Sequence, residues 1–183
     1  MLRQLRSIRR SVPTSTLQTL VVSLVLSHLD YGNATLVGLP IHLQHRMRSV
    51  LNASARLIFD LWRSDHITDA LASLHWLRVP ERIKYKTALL AFRALRGEAP
   101  RYLSDGLVRV ADVSSRRRLR SSATTQLMVP VHRLSTIGSR SFPVAAPTLW
   151  NQLPTDVTSA SSLPEFHRKL KTHLFKASFP NIV

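Results

Sequence analysis

The chain has 183 residues, is 44% hydrophobic, and carries 26 Lys+Arg against 10 Asp+Glu, a formal net charge of +16. Its apolar content is that of a folding chain, and its length admits one large domain or two small ones. With no cysteine it cannot form disulfides, thiolate zinc sites or cysteine nucleophiles, which fits an intracellular setting, nucleus or cytoplasm. A chain this basic repels itself and attracts polyanions, nucleic acid first and an anionic membrane surface second. No run of about 18 apolar residues occurs, so no membrane-spanning segment is expected.

Met1 to Arg10 is rich in arginine and free of acids, and predicts a short basic helix broken at Pro13. A transit peptide has a similar composition, but no small-residue cleavage site follows and the next segment reads as core. From Leu17 to Leu29 apolar residues fall on nearly every side, which predicts a buried helix. A second helix is expected over about 40–61. Leu43, Met47, Val50, Leu51, Leu57, Ile58 and Leu61 form its apolar face, and Gln44, Arg48, Asn52 and Arg56 form a polar stripe at i, i+4 spacing. That stripe holds no acid. It reads either as a solvated face or as a ridge that tracks phosphates.

A short helix containing Thr68, Leu71 and Leu74 follows, with Ser64 or Asp65 as a candidate cap. The next helix begins at Pro80 and ends at Gly97. On it Arg82, Lys86, Arg93 and Arg96 lie within about 40° of one line at 100° per residue, opposite Ile83, Leu90, Ala91 and Ala94. Residues 98–115 read as a linker with a short turn. Arg116, Arg117, Arg118 and Arg120 then crowd into five residues, followed by Ser121, Ser122, Thr124 and Thr125. Guanidinium forks match phosphate oxygens, and hydroxyls supplement them. A nuclear-import signal or a solvated basic segment is the alternative.

Short strands are expected at 127–131 and 142–145. The string SRSFPVAAPTLWNQLP, residues 139–154, places a proline every few residues and so predicts an irregular apolar patch, docked on the helices through Phe142, Leu149 and Trp150. Ser162 and Glu165 have capping-box spacing before Leu163, Phe166, Leu170 and Leu174, which predicts a final amphipathic helix. The fold class is therefore mainly α, a helical bundle with a small irregular or short-stranded basic C-terminal region.

Chemistry-bearing constellations are sparse. His42 and His45 share a helix turn without a third ligand, so no metal is expected. Asp65 and Asp69 are one turn apart without the third carboxylate of a two-metal site. No glycine-rich phosphate loop and no nucleophilic serine motif occurs among the five glycines and their neighbours, so neither cofactor nor catalytic residue is expected.

Six strings in order, LRSIRRSVP, LVLSHLDYGN, LHWLRVPERIKYKTALLAFRALRGEAPRYL, RRRLRSS, SRSFPVAAPTLWNQLP and LPEFHRKLKTHLF, span most of the chain. Together the chain resembles the C-terminal part of the reverse transcriptase of animal non-LTR (LINE-type, Jockey-like) retrotransposons. The resemblance implies a thumb-like helical segment over 1–61, a helical continuation over 62–110 and a basic C-terminal extension over 111–183. It also implies an upstream polymerase domain as a partner, and RNA or an RNA–DNA duplex as the ligand. The family's Tyr-x-Asp-Asp box is missing, and Asp30-Tyr31 does not replace it. Gly32 stands where the family commonly has cysteine, and Arg78 where it commonly has proline.

The expected function is nucleic-acid binding by a polymerase fragment that lacks the catalytic palm, with Arg116, Arg117, Arg118, Arg120, Arg82, Lys86, Arg93, Arg48 and Arg56 as candidate contacts. The alternatives are an autonomous helical protein-interaction adaptor and a basic peripheral membrane binder.

Overall fold

The computed structural model describes residues 1–113, 125–134 and 137–182. The arginine run at Arg116, Arg117, Arg118 and Arg120 therefore lies outside the described residues. In chain order the helices are α1 (Leu2–Ile8), α2 (Thr14–Val21), α3 (Ser27–Asp30), α4 (Ile41–Phe59), α5 (Thr68–Ser73), α6 (Val79–Leu95), α7 (Arg101–Ser104), α8 (Phe142–Trp150), α9 (Thr155–Thr158) and α10 (Leu163–Ser178). The fold is mainly α, as the periodicities predict. The chain forms two compact units, one of residues 1–33, 39–82 and 175–183, the other of 34–38 and 83–174. Both are built from non-contiguous segments, which a linear division of the sequence does not express.

In the first unit α2 and α3 are joined without a break by a π-helical stretch, Val22–Leu26. Hydroxyls support this widened ladder from outside: Thr19 donates to the Ser15 carbonyl, Ser23 to Thr19, and Ser27 to Ser23. Such i−4 back-bonding occupies carbonyls that the expanded turn would otherwise expose, and it bends a helix. This hydroxyl stripe corrects the expectation that the segment is buried all round. Leu17, Val21, Val25 and Leu26 are core, while Val22 and Leu24 are about two-fifths exposed.

Two of the unit's helices stop in a conformation that the sequence disguises. Asp60 ends α4 at φ 57° and His75 follows α5 at φ 52°. Both carry Schellman-type bonds: Leu61 N–H to the Arg56 carbonyl at 3.1 Å, and Trp76 N–H to the Leu71 carbonyl at 2.9 Å. A left-handed non-glycine residue costs about 1 kcal/mol. Both sites gain a side-chain contact: Asp60 pairs with Arg9, and the His75 ring lies 5.7 Å from Phe175. The Arg9 hydrogen bond holds the Asp60 carboxyl below its usual range. In α6, by contrast, glycine fills this role: Gly97 has φ 73°, and Glu98 N–H reaches the Arg93 carbonyl at 2.9 Å.

The second unit centres on three rings. Phe92 of α6 and Phe166 of α10 stack at 4.2 Å, and Trp150 of α8 lies 5.8 Å from Phe166 and 6.5 Å from Phe92. Trp150 and Phe166 are buried, while Phe142 and Leu149 are only half-buried. The Arg96 guanidinium sits 4.7 Å over Phe92 and donates to the Ala160 carbonyl at 2.9 Å.

The expected strand at 142–145 is helix α8, a correction with a local cause. Pro143 occupies the first turn, where its missing N–H is not needed. Pro147 does lie inside the helix, a defect worth about 3 kcal/mol in isolation. Here Pro147 is fully buried, so packing offsets the lost bond. The expected strand at 127–131 is likewise corrected. Among the described residues only an isolated antiparallel bridge forms, Arg109 to Leu127. The 98–115 stretch is more than a linker, since α7 lies in it and Leu107 and Val110 are buried.

The cap of α10 follows the sequence with a shift of one residue. Glu165 N–H faces Ser162 Oγ at 3.4 Å, but the Glu165 carboxylate accepts from Ser161, at 2.9 Å from the backbone N–H and 2.8 Å from the hydroxyl. These bonds, with Lys169 beside them, hold the Glu165 carboxyl at about 2.

Two outcomes follow. Trp150→Ala removes the ring shared by two stacks and should cost ~3–5 kcal/mol in urea unfolding. The depressed carboxyl of Glu165 stabilises α10 fully above its unfolded value and loses that effect as pH falls toward about 2. Acid titration followed by far-UV circular dichroism should therefore show a helicity loss in that window that is smaller in Glu165→Gln.

Candidate functional site

The candidate contacts fall into different environments. In the first unit Arg82 is committed: its guanidinium grips Asp30 through two bonds, Nε to Oδ1 at 2.9 Å and Nη2 to Oδ2 at 2.7 Å. The two side chains are 14% and 20% exposed, so this is a largely desolvated, forked pair. Arg56 is committed as well. It donates to the carbonyls of Trp62, Arg63 and Asp65 at 3.2, 3.3 and 3.4 Å, closing the loop after α4, while Asp65 accepts from Trp62 N–H at 2.7 Å.

Arg48 differs. With Gln44 and Asn52 it forms the α4 wall of a cleft of about 310 Å³, whose other walls come from the start of α5, the start of α6 and the end of α10. Three members of the polar stripe thus line a concavity, and the fourth turns to backbone carbonyls. Arg78 enters the cleft from the α6 side, packed 5.2 Å over Phe179 and 3.5 Å from the Thr68 hydroxyl. Arg48 and Arg78 make no ion pair among the described residues. Ser178 also lines the cleft. It is 2% exposed, and its Oγ has no hydrogen-bond partner. A buried hydroxyl left unpaired costs about 1–3 kcal/mol, so this atom is a vacancy for a hydrogen bond.

In the second unit Lys86 and Arg93 come together around His167. The Tyr85 hydroxyl and His167 Nδ1 share a hydrogen bond, and burial, reinforced by Lys86 and Arg93, holds the imidazole below its ordinary value. Burial also raises the Tyr85 phenol. His167 is thus half-buried and bonded.

The flanks of the arginine run are anchored in this unit. Val110 N–H donates to the Gln126 carbonyl at 3.0 Å, and Met128 N–H to the Val108 carbonyl at 2.8 Å. Asn151 completes the other edge of Leu127, accepting its N–H at 2.9 Å and donating to its carbonyl at 2.8 Å. Trp150 Nε1 donates to the Thr125 carbonyl at 2.9 Å. No sequence signal pointed to Asn151: an amide side chain that imitates a strand edge has no local pattern.

Among the described residues no group of three His, Cys, Asp or Glu side chains could hold a metal, and no helix is long and apolar enough to cross a membrane. Comparison of the chain with protein-family models, curated proteins and solved structures finds no match.

The Asp30–Arg82 fork defines a direct test of commitment. Arg82→Ala leaves a carboxylate largely desolvated and should cost about 3 kcal/mol, the low end for buried pairs because solvent still touches both groups. Chemical denaturation of this variant and of the double variant with Asp30→Asn should show the second change recovering part of that loss.

Proposed function

We propose that this chain is a nucleic-acid-binding part of a retrotransposon-type RNA-directed DNA polymerase, one whose own residues supply grip rather than chemistry. The reading is carried by one observation: the acids are few and several are spent on structure, so the cationic excess is left for an external polyanion. Asp30, Asp60, Asp156 and Glu165 all pair with Arg82, Arg9 or Lys169. With 10 Asp+Glu against 26 Lys+Arg, internal pairing cannot neutralise the chain, whose formal net charge is +16. The family resemblance of the six strings supports the same ligand class, RNA or an RNA–DNA duplex.

Within this reading Arg116, Arg117, Arg118, Arg120, Lys86 and Arg93 contact phosphates, while Arg82 and Arg56 maintain the fold that presents them. Phosphate contacts set affinity without reading sequence. Log affinity for duplex RNA–DNA should fall with log salt by ~0.9 per neutralised phosphate. Replacing the four clustered arginines by alanine should flatten that slope by up to ~3–4 units and weaken all sequences alike. Parallel slopes for wild type and the quadruple variant, measured by fluorescence anisotropy across a salt series, would remove the cluster from the interface.

A further inference from the structure

The cleft of the first unit has a composition that phosphate-backbone binding does not require. It is concave, it combines two guanidiniums that form no ion pair among the described residues with a buried unpaired hydroxyl, and it has an apolar wall that includes Leu71, Val79 and Pro80. At about 310 Å³ it sits at the small end of ligand pockets, too small for a duplex groove and suited to one small molecule. We infer that it binds a single nucleoside monophosphate unit, free or at the end of a strand. The proposal rests on the nucleic-acid reading for the nucleoside body; the phosphate follows from the cleft itself.

The assignment of parts is chemical. Arg48 and Arg78 offer forked donors that match phosphate oxygens and are less strongly hydrated than lysine. Ser178 Oγ lacks a partner and is shut off from solvent, so a turn of its side chain toward the cleft would let it donate to the anion. Glu81 lines the same cleft and forms no ion pair among the described residues. A carboxylate repels phosphate, so it belongs at the other end of the ligand, where it accepts from ribose hydroxyls. Asn52 is half-buried in the α4 wall and can pair with a base edge, with the base laid on the apolar wall. Gln44 is less available, since its Nε2 already donates to the Leu39 carbonyl at 2.8 Å. Inorganic phosphate would use only the first part of this set, and adenosine only the second.

Calorimetric titration of the full chain with adenosine 5′-monophosphate, adenosine and inorganic phosphate tests the inference. The monophosphate should bind saturably at one site and more tightly than phosphate or adenosine. Arg48→Ala and Arg78→Ala should each weaken it at least tenfold. Glu81→Gln should weaken the monophosphate and leave inorganic phosphate unchanged. Ser178→Ala supplies a control for folding: the ligand-free variant should melt no lower than wild type, because the hydroxyl has no partner to lose, yet gain less Tm from added monophosphate. A single-stranded oligonucleotide with a 5′-phosphate, compared with its 5′-hydroxyl form, separates a strand end from a free nucleotide as the source.

The cleft assignment falls if the monophosphate does not saturate, or if Arg48→Ala binds it as wild type does. Duplex RNA–DNA binding measured on the same variants keeps the two readings apart. Loss of monophosphate binding with an intact duplex salt slope separates the cleft from the duplex interface. An inert monophosphate beside normal duplex binding overturns the cleft alone, and monophosphate binding without any duplex affinity overturns the nucleic-acid reading alone.

Discussion

Trp150 is the side chain on which the second unit depends. Its indole stacks with Phe166 of α10 and lies tilted against Phe92 of α6, and its N–H donates to the Thr125 carbonyl. One residue thus ties together a helix core and an extended segment with no ladder of its own. Asn151, next in the chain, continues the tie by bonding both backbone groups of Leu127. A single helix end therefore satisfies the polar groups that an isolated bridge would leave open. It also explains why α8 tolerates Pro147. The helix is retained by what its C-terminal end holds and by burial, and one missing backbone bond is small beside several packed rings.

Charge imposes the second constraint. With few acids, the chain cannot neutralise its cations internally, and their placement follows a pattern. Asp30 is bound by Arg82, a forked pair in which both oxygens of the carboxylate are used. Asp156 and Glu165 share Lys169, whose ammonium is held above its ordinary value by those two hydrogen bonds. Other cations interact with backbone oxygens or rings instead: Arg56 with loop carbonyls, Arg96 with Phe92 and the Ala160 carbonyl, Arg78 over Phe179. Carbonyls and ring faces attract a guanidinium without cancelling its charge. The protein thereby orders these arginines without cancelling their charge.

The cleft of the first unit shows the same economy at shorter range. Arg78 is positioned by the Phe179 ring and the Thr68 hydroxyl, and Ser178 Oγ has no hydrogen-bond partner. In the second unit burial, reinforced by Lys86 and Arg93, holds the His167 imidazole below its ordinary value beside its bond to Tyr85.

Local patterns in the sequence determined the long helices. The apolar spacing of α4, α6 and α10 is visible within each segment. So are Pro80 and Gly97 at the ends of α6 and the Ser162–Glu165 box, because capping bonds span three or four residues. What needed the tertiary structure was everything decided by residues far apart. Arg82 and Asp30 are 52 positions apart, and nothing in the basic line along α6 distinguishes an arginine that is taken from one that is free. The region 142–150 reads as broken because proline is a local breaker, while its stabilising contacts come from Thr125, Phe92 and Phe166. The left-handed ends at Asp60 and His75 carry no glycine to announce them. The cleft is assembled from four separate segments, so no spacing rule could bring Arg48, Arg78 and Ser178 together. Periodicity reports which face of a helix is apolar; which polar groups meet across the fold depends on packing, which local sequence does not contain.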